Sequence, residues 1–368
     1  MTSIAAAVVR EKGGPFGIER IELDEPRDDE VLIRISGVGL CHTDLVVRDQ
    51  YFPTPLPAIL GHEGSGVVEK IGRSVTKVAP GDHVVLTVAS CGTCANCLSG
   101  RGGYCNDLYG RNFSGRRPDG STPCHDAHGH EVSAYFFAQS SFADHALASE
   151  RNVVKIAKDV PIELMGPLGC GLQTGAGAVI NALKPEAGTS IAIFGAGSVG
   201  LAAVMAARVV GCTRIIAVDL NAERLALARS LGATDVIDAG AGSVVDAIRE
   251  LTGDGVQYSL ECTGLPAVAR QAVDALRLTG TCGIIGVSPL GTELTLDMNG
   301  ILFGRSVRGI IEGDSVPDIF IPQLIELWRQ DRFPFDRLVQ YYPLSRIEEA
   351  AAASERGDVL KAILVPGQ

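Results

Sequence analysis

Positive charge is scarce in this 368-residue chain: 32 Lys and Arg stand against 43 Asp and Glu, a formal net charge of −11. An acidic surface repels phosphate backbones, which argues against nucleic acid as a partner. Long apolar runs are missing too. The opening residues, MTSIAAAVVREKGG, hold too short an apolar run for a signal peptide or an anchor. The most apolar helical stretch, Val199 to Val210, includes Arg208 and is too short to cross a bilayer. The expectation is a soluble, cytoplasmic protein with no membrane partner. The 44 glycines follow no three-residue period, which excludes collagen.

What is present is core-forming material. Hydrophobic residues make up 46% and charged residues 20%, so disorder is not expected. The length suggests two domains. Ten Cys in a chain with intracellular character argue for metal ligation over disulfides.

The first chemical signal runs from Cys41 to Glu63. Cys41-His42-Thr43-Asp44 follows a strand expected at Val31–Val38, and Gly61-His62-Glu63-Gly64 follows a proline-rich connector, Phe52 to Pro57. Cys sulfur and His nitrogen are ligands that zinc takes, and Glu63 adds a carboxylate beside them. Cys170 lies far along the chain, in GPLGCGLQTGAGA, where a helix opens; a helix N-terminus lowers a thiol pKa and favours the thiolate a metal needs. An inert Cys is the alternative at each position taken singly.

Cys91, Cys94, Cys97 and Cys105 form C-x2-C-x2-C-x7-C. Four thiolates so close in the chain can close around one zinc with no open position, which makes a structural site. Iron–sulfur ligation is the competing reading, though no Pro follows the fourth Cys. Cys124, His125, His128 and His130 match no tetrad spacing, and residues 106–130 read as a flexible surface loop. Tyr135-Phe136-Phe137 reads as the start of an aromatic-rich strand that faces either a ligand or the core.

From Ser190 the pattern becomes strand, helix, strand. Ile191–Phe194 precedes Gly195-Ala196-Gly197-Ser198-Val199-Gly200, an Ala-rich helix follows, and the strand Arg214–Val218 ends at Asp219. G-x-G-x-x-G in that setting, with an acid nineteen residues beyond its last Gly, is a specific dinucleotide signal. Gly195 makes the tight turn, Gly197 admits the pyrophosphate, and Gly200 permits close helix–sheet packing. Asp219 would accept from the ribose hydroxyls and repel a 2′-phosphate, which favours NAD over NADP. Helices expected at Val244–Leu251 and Val268–Leu278 alternate with strands at Asp235–Ile237, Tyr258–Glu261, Thr281–Val287 and Ser306–Ile311. The class is therefore α/β with a doubly wound parallel sheet.

With these motifs in this order, nearly the whole chain resembles the zinc-dependent medium-chain alcohol dehydrogenases. The resemblance implies a Rossmann domain over residues 171–311 and a mainly-β GroES-like catalytic domain from residues 1–170 and 312–368. It implies two Zn2+ per chain and NAD. Cys41, His62 and Cys170 match the catalytic zinc ligands, Glu63 an acid that approaches the metal when substrate is absent, and Asp44 the acid that steadies the histidine. Thr43 matches the hydroxyl that takes the alcohol's proton. Arg224 matches an adenosine-ribose contact and Lys361 a pyrophosphate contact. Thr174 and Val199 match nicotinamide contacts, and Val287 is counted among the cofactor residues. The family's relay histidine is replaced by Val46; His42 is a substitute, or a pyrophosphate contact.

The segments GDSVPDIFIPQLIELW, from Gly313, and FFAQSSFA, from Phe136, are similar to benzyl alcohol dehydrogenases. That resemblance implies an aromatic or allylic primary alcohol, with Phe52 and Phe136 lining the pocket, and a homodimer or homotetramer formed through the edge near residues 301–311. The rivals are a polyol or glutathione-adduct (formaldehyde) dehydrogenase with a polar pocket, and a non-catalytic nucleotide-binding redox sensor.

Overall fold

The computed structural model describes residues 1–367. The chain divides into two compact units. One comprises Met1–Cys170, Val316–Pro322 and Asp336–Gln368, and the other Gly171–Ser315 and Gln323–Phe335; Gln368 itself lies outside the described residues. The segments 312–315 and 323–335, expected with the first unit, pack within the second. The apolar face of the helix Pro317–Arg329 turns Leu324 and Ile325 inward there, and Arg332 reaches the Val209 carbonyl.

The first unit is mainly β. One sheet has five strands in the order 58–59, 2–9, 16–23, 124–125 and 131–132. A second runs 153–156, 83–86, 63–71, 30–39, 361–365 and 339–343, with 145–149 paired to 30–39. Its central strand, Glu30–Gly39, is buried along its length except at Arg34 and Ser36, because neighbours cover both edges. This strand carries the chain to Cys41, and Glu63–Ile71 beside it begins on the residue after His62.

The second unit holds a six-stranded parallel sheet ordered 235–238, 214–219, 190–194, 256–261, 276–284 and 306–309. Chain order reverses between Ser190–Phe194 and Val256–Glu261, so the ligand crevice of a doubly wound sheet lies at the carboxyl ends of these two strands. The helix Ser198–Val210 packs closely because Ala202, Ala203, Ala206 and Ala207 are small and fully buried. It stops at Gly211, which takes the left-handed cap.

Three expectations are corrected. The helix expected at Val268–Leu278 spans Pro266–Asp274 and gives way to the strand Leu276–Ile284, whose start pairs with Val256. Residues 106–130 contain a helix, Leu108–Phe113, and a buried Cys124, rather than a flexible loop. Phe136–Ala138 is a 3-10 turn, not a strand, with Phe137, Ala138 and Ser140 all at φ near +50°. Side chains hold that turn: Ser140 Oγ accepts from Phe136 N (2.9 Å) and donates to Ile59 O (2.6 Å), while Asn152 Nδ2 donates to the Phe137 and Ala138 carbonyls. No helix among the described residues is long and apolar enough to cross a membrane.

Candidate active site and its metal ligands

Cys41 is the N-cap of the short helix His42–Arg48, at the end of the central strand. Asp44, on the first turn, is completely buried and braces both motif segments. Its Oδ2 accepts from Cys41 N (3.0 Å); its Oδ1 accepts from Gly61 N (3.1 Å) and lies 2.8 Å from His62 Nδ1. That contact fixes the imidazole tautomer, with the proton on Nδ1. Gly61 adopts φ +89°, and any Cβ there would strike Phe142. Gln139, which the motifs did not signal, clamps the other side. Its Nε2 donates to His62 O (2.9 Å) and its Oε1 accepts from Gly64 N (3.2 Å).

Cys170 arrives just ahead of the helix Gly171–Gly177, with the preceding Gly169 carbonyl held by Thr87 Oγ1 at 2.7 Å. The ligand atoms of Cys41, His62, Glu63 and Cys170 all lie within 4.8 Å of one another. His62 Nε2 is buried and without a hydrogen-bond partner, an arrangement a protein tolerates when a metal takes the lone pair. The electrostatics agree. The Cys41 thiol is held well below its ordinary value, first by its hydrogen bond to Cys170 and against its burial, then by His62 and Lys361. Burial would lower the His62 pKa, but Asp44 and Cys41 outweigh it and raise it well above the ordinary value. A depressed thiol gives the thiolate a metal needs, and negative groups around a buried imidazole favour a cation there. Two sulfurs and one nitrogen fit zinc.

Glu63 is fully buried, and burial raises its pKa against the pull of Lys361. Lys361 Nζ donates to Glu63 Oε1 (3.0 Å), Glu63 Oε2 (2.9 Å) and Leu40 O (3.3 Å). Lys361, expected at the pyrophosphate, thus forms a buried ion pair beside the candidate ligands. The strand Lys361–Val365 docks antiparallel on Val38 and Gly39, which points the ammonium at Glu63. Burial alone would strip its proton; the Glu63 carboxylate and the Cys41 sulfur keep it charged. Thr43 Oγ1 lies 3.7 Å from Cys41 Sγ, and His42 is exposed.

Aromatic rings gather around His62. Phe137 lies 4.5 Å away, tilted 30°, and Phe136 meets it edge-on at 5.5 Å. Phe113 touches both, and Phe52 packs on Phe113 at 5.5 Å. Phe136, expected in a pocket wall, is wholly enclosed in the core; Phe52 is partly buried. Phe113 is the ring that sequence reasoning missed; Phe137 reads from sequence only as part of an aromatic-rich strand.

The second cluster is Cys91, Cys94, Cys97 and Cys105, again within 4.8 Å. Backbone amides point at sulfur: Thr93 N and Cys94 N to Cys91 Sγ, and Cys91 N to Cys105 Sγ, at 3.3–3.4 Å. Those from Thr93 lead in bringing the Cys91 thiol down to about 5, while burial pushes Cys105 up to about 11. Four converging sulfurs with amide donors fit a tetrahedral zinc with no open position.

In the second unit, Gly195 adopts φ +98°, a Cβ on Gly200 would strike the Gly195 carbonyl, and a Cβ on Gly197 would meet open space. Asp219 closes its strand, with Oδ2 accepting from Ala196 N (2.6 Å) and Oδ1 from Asn221 N (2.9 Å). Asn221 caps the next helix by accepting from Glu223 N and Arg224 N. Val199 lies on the first turn of its helix against Gly175. Thr174 is half-buried, and Val287 is exposed in the segment after the strand Leu276–Ile284.

Residues 27–158 match the alcohol dehydrogenase GroES-like domain, and residues 198–328 match the zinc-binding dehydrogenase domain. The chain is 48% identical to a geraniol dehydrogenase of Castellaniella defragrans, over 99% of this chain and 98% of that one. The chain belongs to the zinc-binding alcohol dehydrogenases. Among solved structures, it is similar to an alcohol dehydrogenase zinc-binding domain protein from Burkholderia ambifaria, with 57% identity, a TM-score of 0.98 and 99% of each chain covered. It is also similar to the benzyl alcohol dehydrogenase of Acinetobacter calcoaceticus, with 48% identity, a TM-score of 0.96 and both chains fully covered. The protein is thus a zinc-family alcohol dehydrogenase with a GroES-like and a Rossmann-like part.

Proposed function

We propose that this alcohol dehydrogenase uses NAD to oxidise primary aromatic or allylic alcohols, of the benzyl alcohol and geraniol type, reversibly to their aldehydes. The observation that carries the reading is the convergence of Cys41, His62 and Cys170, with an unpartnered Nε2, under a group of phenylalanines. When bound there, zinc supplies Lewis acidity, which lowers the pKa of a hydroxyl by many units, for water from about 16 to about 7. Cys41, His62 and Cys170 hold it, with Glu63 as a fourth donor that Lys361 restrains. Cys91, Cys94, Cys97 and Cys105 hold a second, structural zinc.

Thr43 takes the hydroxyl proton of the alcohol. With Val46 where relatives carry a titratable relay group, that proton leaves through His42 or solvent. Nicotinamide, when bound, would supply the acceptor for the hydride of the carbinol carbon. Gly195, Gly197 and Gly200 seat the pyrophosphate at a helix N-terminus. Asp219 accepts from the adenosine ribose and repels a 2′-phosphate. Arg224, Thr174, Val199 and Val287 complete the cofactor contacts. The exposed Met298, Leu302 and Phe303 beside the edge strand Ser306–Gly309 support a homodimer or homotetramer.

A substrate panel tests the reading through NADH absorbance. Benzyl alcohol and geraniol should exceed ethanol and sorbitol in kcat/KM. Sorbitol or a glutathione adduct as the best substrate would refute it.

A further inference from the structure

Glu261 is a carboxylate with no exposed surface and, among the described residues, no cationic partner in its immediate circle. It closes the strand Val256–Glu261, directly opposite Phe194 and one step from the glycine turn. Its Oε1 accepts from Thr263 N (2.6 Å), Thr263 Oγ1 (2.5 Å) and Gly264 N (3.0 Å), and its Oε2 from Gly264 N (3.1 Å). Its backbone carbonyl accepts from Ile285 N (3.0 Å) and Gly286 N (3.1 Å) on the segment that follows the next strand. A buried carboxylate that spends its acceptors on its own loop fixes that loop's shape, because nothing else can satisfy the charge.

The parts it ties together are the lips of the crevice at the sheet's switch point. Thr263 Cγ2 would lie 2.9 Å from a Cβ at Gly195, so the Thr263 methyl backs the phosphate turn. Gly264 adopts φ +73°, and a Cβ there would collide with the backbone of Val287. Ser288 Oγ donates to Gly264 O at 2.5 Å. Gly286 has room for no side chain, since a Cβ would strike Gly264 N and crowd Glu261 Oε2. Three segments, at 195–197, 262–264 and 285–288, are thus set against one another around one anionic group.

We propose that Glu261 is a positioning residue for the dinucleotide. It touches no ligand, and through Thr263 and Gly264 it holds both the glycine turn and the Val287 segment in the shape that receives NAD. The inference rests on the NAD reading above. In Glu261→Gln the amide oxygen keeps the Thr263 donors but without the charge, while the NH2 in the place of Oε2 faces Gly264 N, so the hold on the Gly264 and Val287 side of the loop weakens.

NADH titration by fluorescence, without alcohol, is the test. Glu261→Gln should weaken NADH binding about tenfold, some 1.4 kcal/mol. The KM for NAD should rise in step while kcat stays within about twofold of wild type. Zinc content should stay at the wild-type value, and Glu261→Asp, which keeps the charge, should restore part of the affinity. Equal NADH affinity in wild type and Glu261→Gln would overturn the inference and leave the NAD reading standing. A wild type that takes no NADH would overturn both. Should Glu261→Gln fail to fold, Thr263→Val carries the test, because it keeps the methyl and removes only the hydroxyl, which donates to Glu261 and accepts from the exposed Leu265 N. It should weaken NADH binding without changing zinc content or the melting temperature, and unchanged binding would overturn the proposal.

Discussion

Asp44→Asn is the sharpest probe of the candidate metal site, because the side chain keeps its size and loses only its charge and one acceptor. Asp44 serves three donors: Cys41 N, Gly61 N and His62 Nδ1. An asparagine serves Gly61 and His62 through its oxygen, which sets its NH2 against Cys41 N–H. One buried backbone donor is then unpaired, at a cost of about 1–3 kcal/mol. The hydrogen bond to His62 also loses its charge assistance, so the imidazole is a weaker base at Nε2. Losses of that kind typically weaken metal binding about 10- to 100-fold, which is about 1.4–2.8 kcal/mol. The assay is chelator competition followed by zinc counting. Wild type should retain two zincs, and Asp44→Asn should fall to one at a chelator concentration that leaves the four-cysteine lobe loaded. NADH binding should be unaltered. Equal retention of both zincs by the variant would refute the bracing argument.

Three further outcomes are expected. Cys41→Ala should lose one zinc and alcohol turnover while still binding NADH, measured by metal analysis and fluorescence; full turnover in the variant would contradict the ligand assignment. Asp219→Gly should improve use of NADP relative to NAD by about an order of magnitude in kcat/KM, since the carboxylate that repels a 2′-phosphate is gone; an unchanged ratio would show that Asp219 does not discriminate. The third concerns pH. Cys91 falls from 9.0 to about 5 on folding. A depressed acid stabilises the folded lobe fully above its unfolded value, and that contribution disappears as pH falls through the folded value. Metal-free four-cysteine lobe should therefore gain stability between about pH 5 and 9, followed by exchange of its amides in a pH series, and a flat profile would count against the amide-to-sulfur bonds.

The two local motifs were legible from sequence because their geometry is local. Four cysteines within fifteen residues can meet around a point whatever the rest of the chain does. A glycine turn between strand and helix is likewise set by backbone conformation, and Gly195 at φ +98° has the left-handed geometry its type permits. Asp44 three residues after Cys41 was readable for the same reason, being one helical turn away. The parallel sheet followed from the βα rhythm, since each helix returns the chain to begin the next strand in the same direction.

Tertiary structure alone brought Cys170 to Cys41, and made Lys361 a partner of Glu63 rather than an exposed cation. That choice depends on the strand Lys361–Val365 docking beside Gly39, a pairing no local pattern encodes. It also decided which phenylalanines surround His62. Phe136, Phe137 and Phe113 are alike in sequence, and only the left-handed turn held by Ser140 and Asn152 sets Phe137 over the imidazole while sinking Phe136 into the core. Residue type and spacing determine what a segment can bind or become; long-range packing determines which such segments meet, because burial rewards contacts irrespective of their distance along the chain.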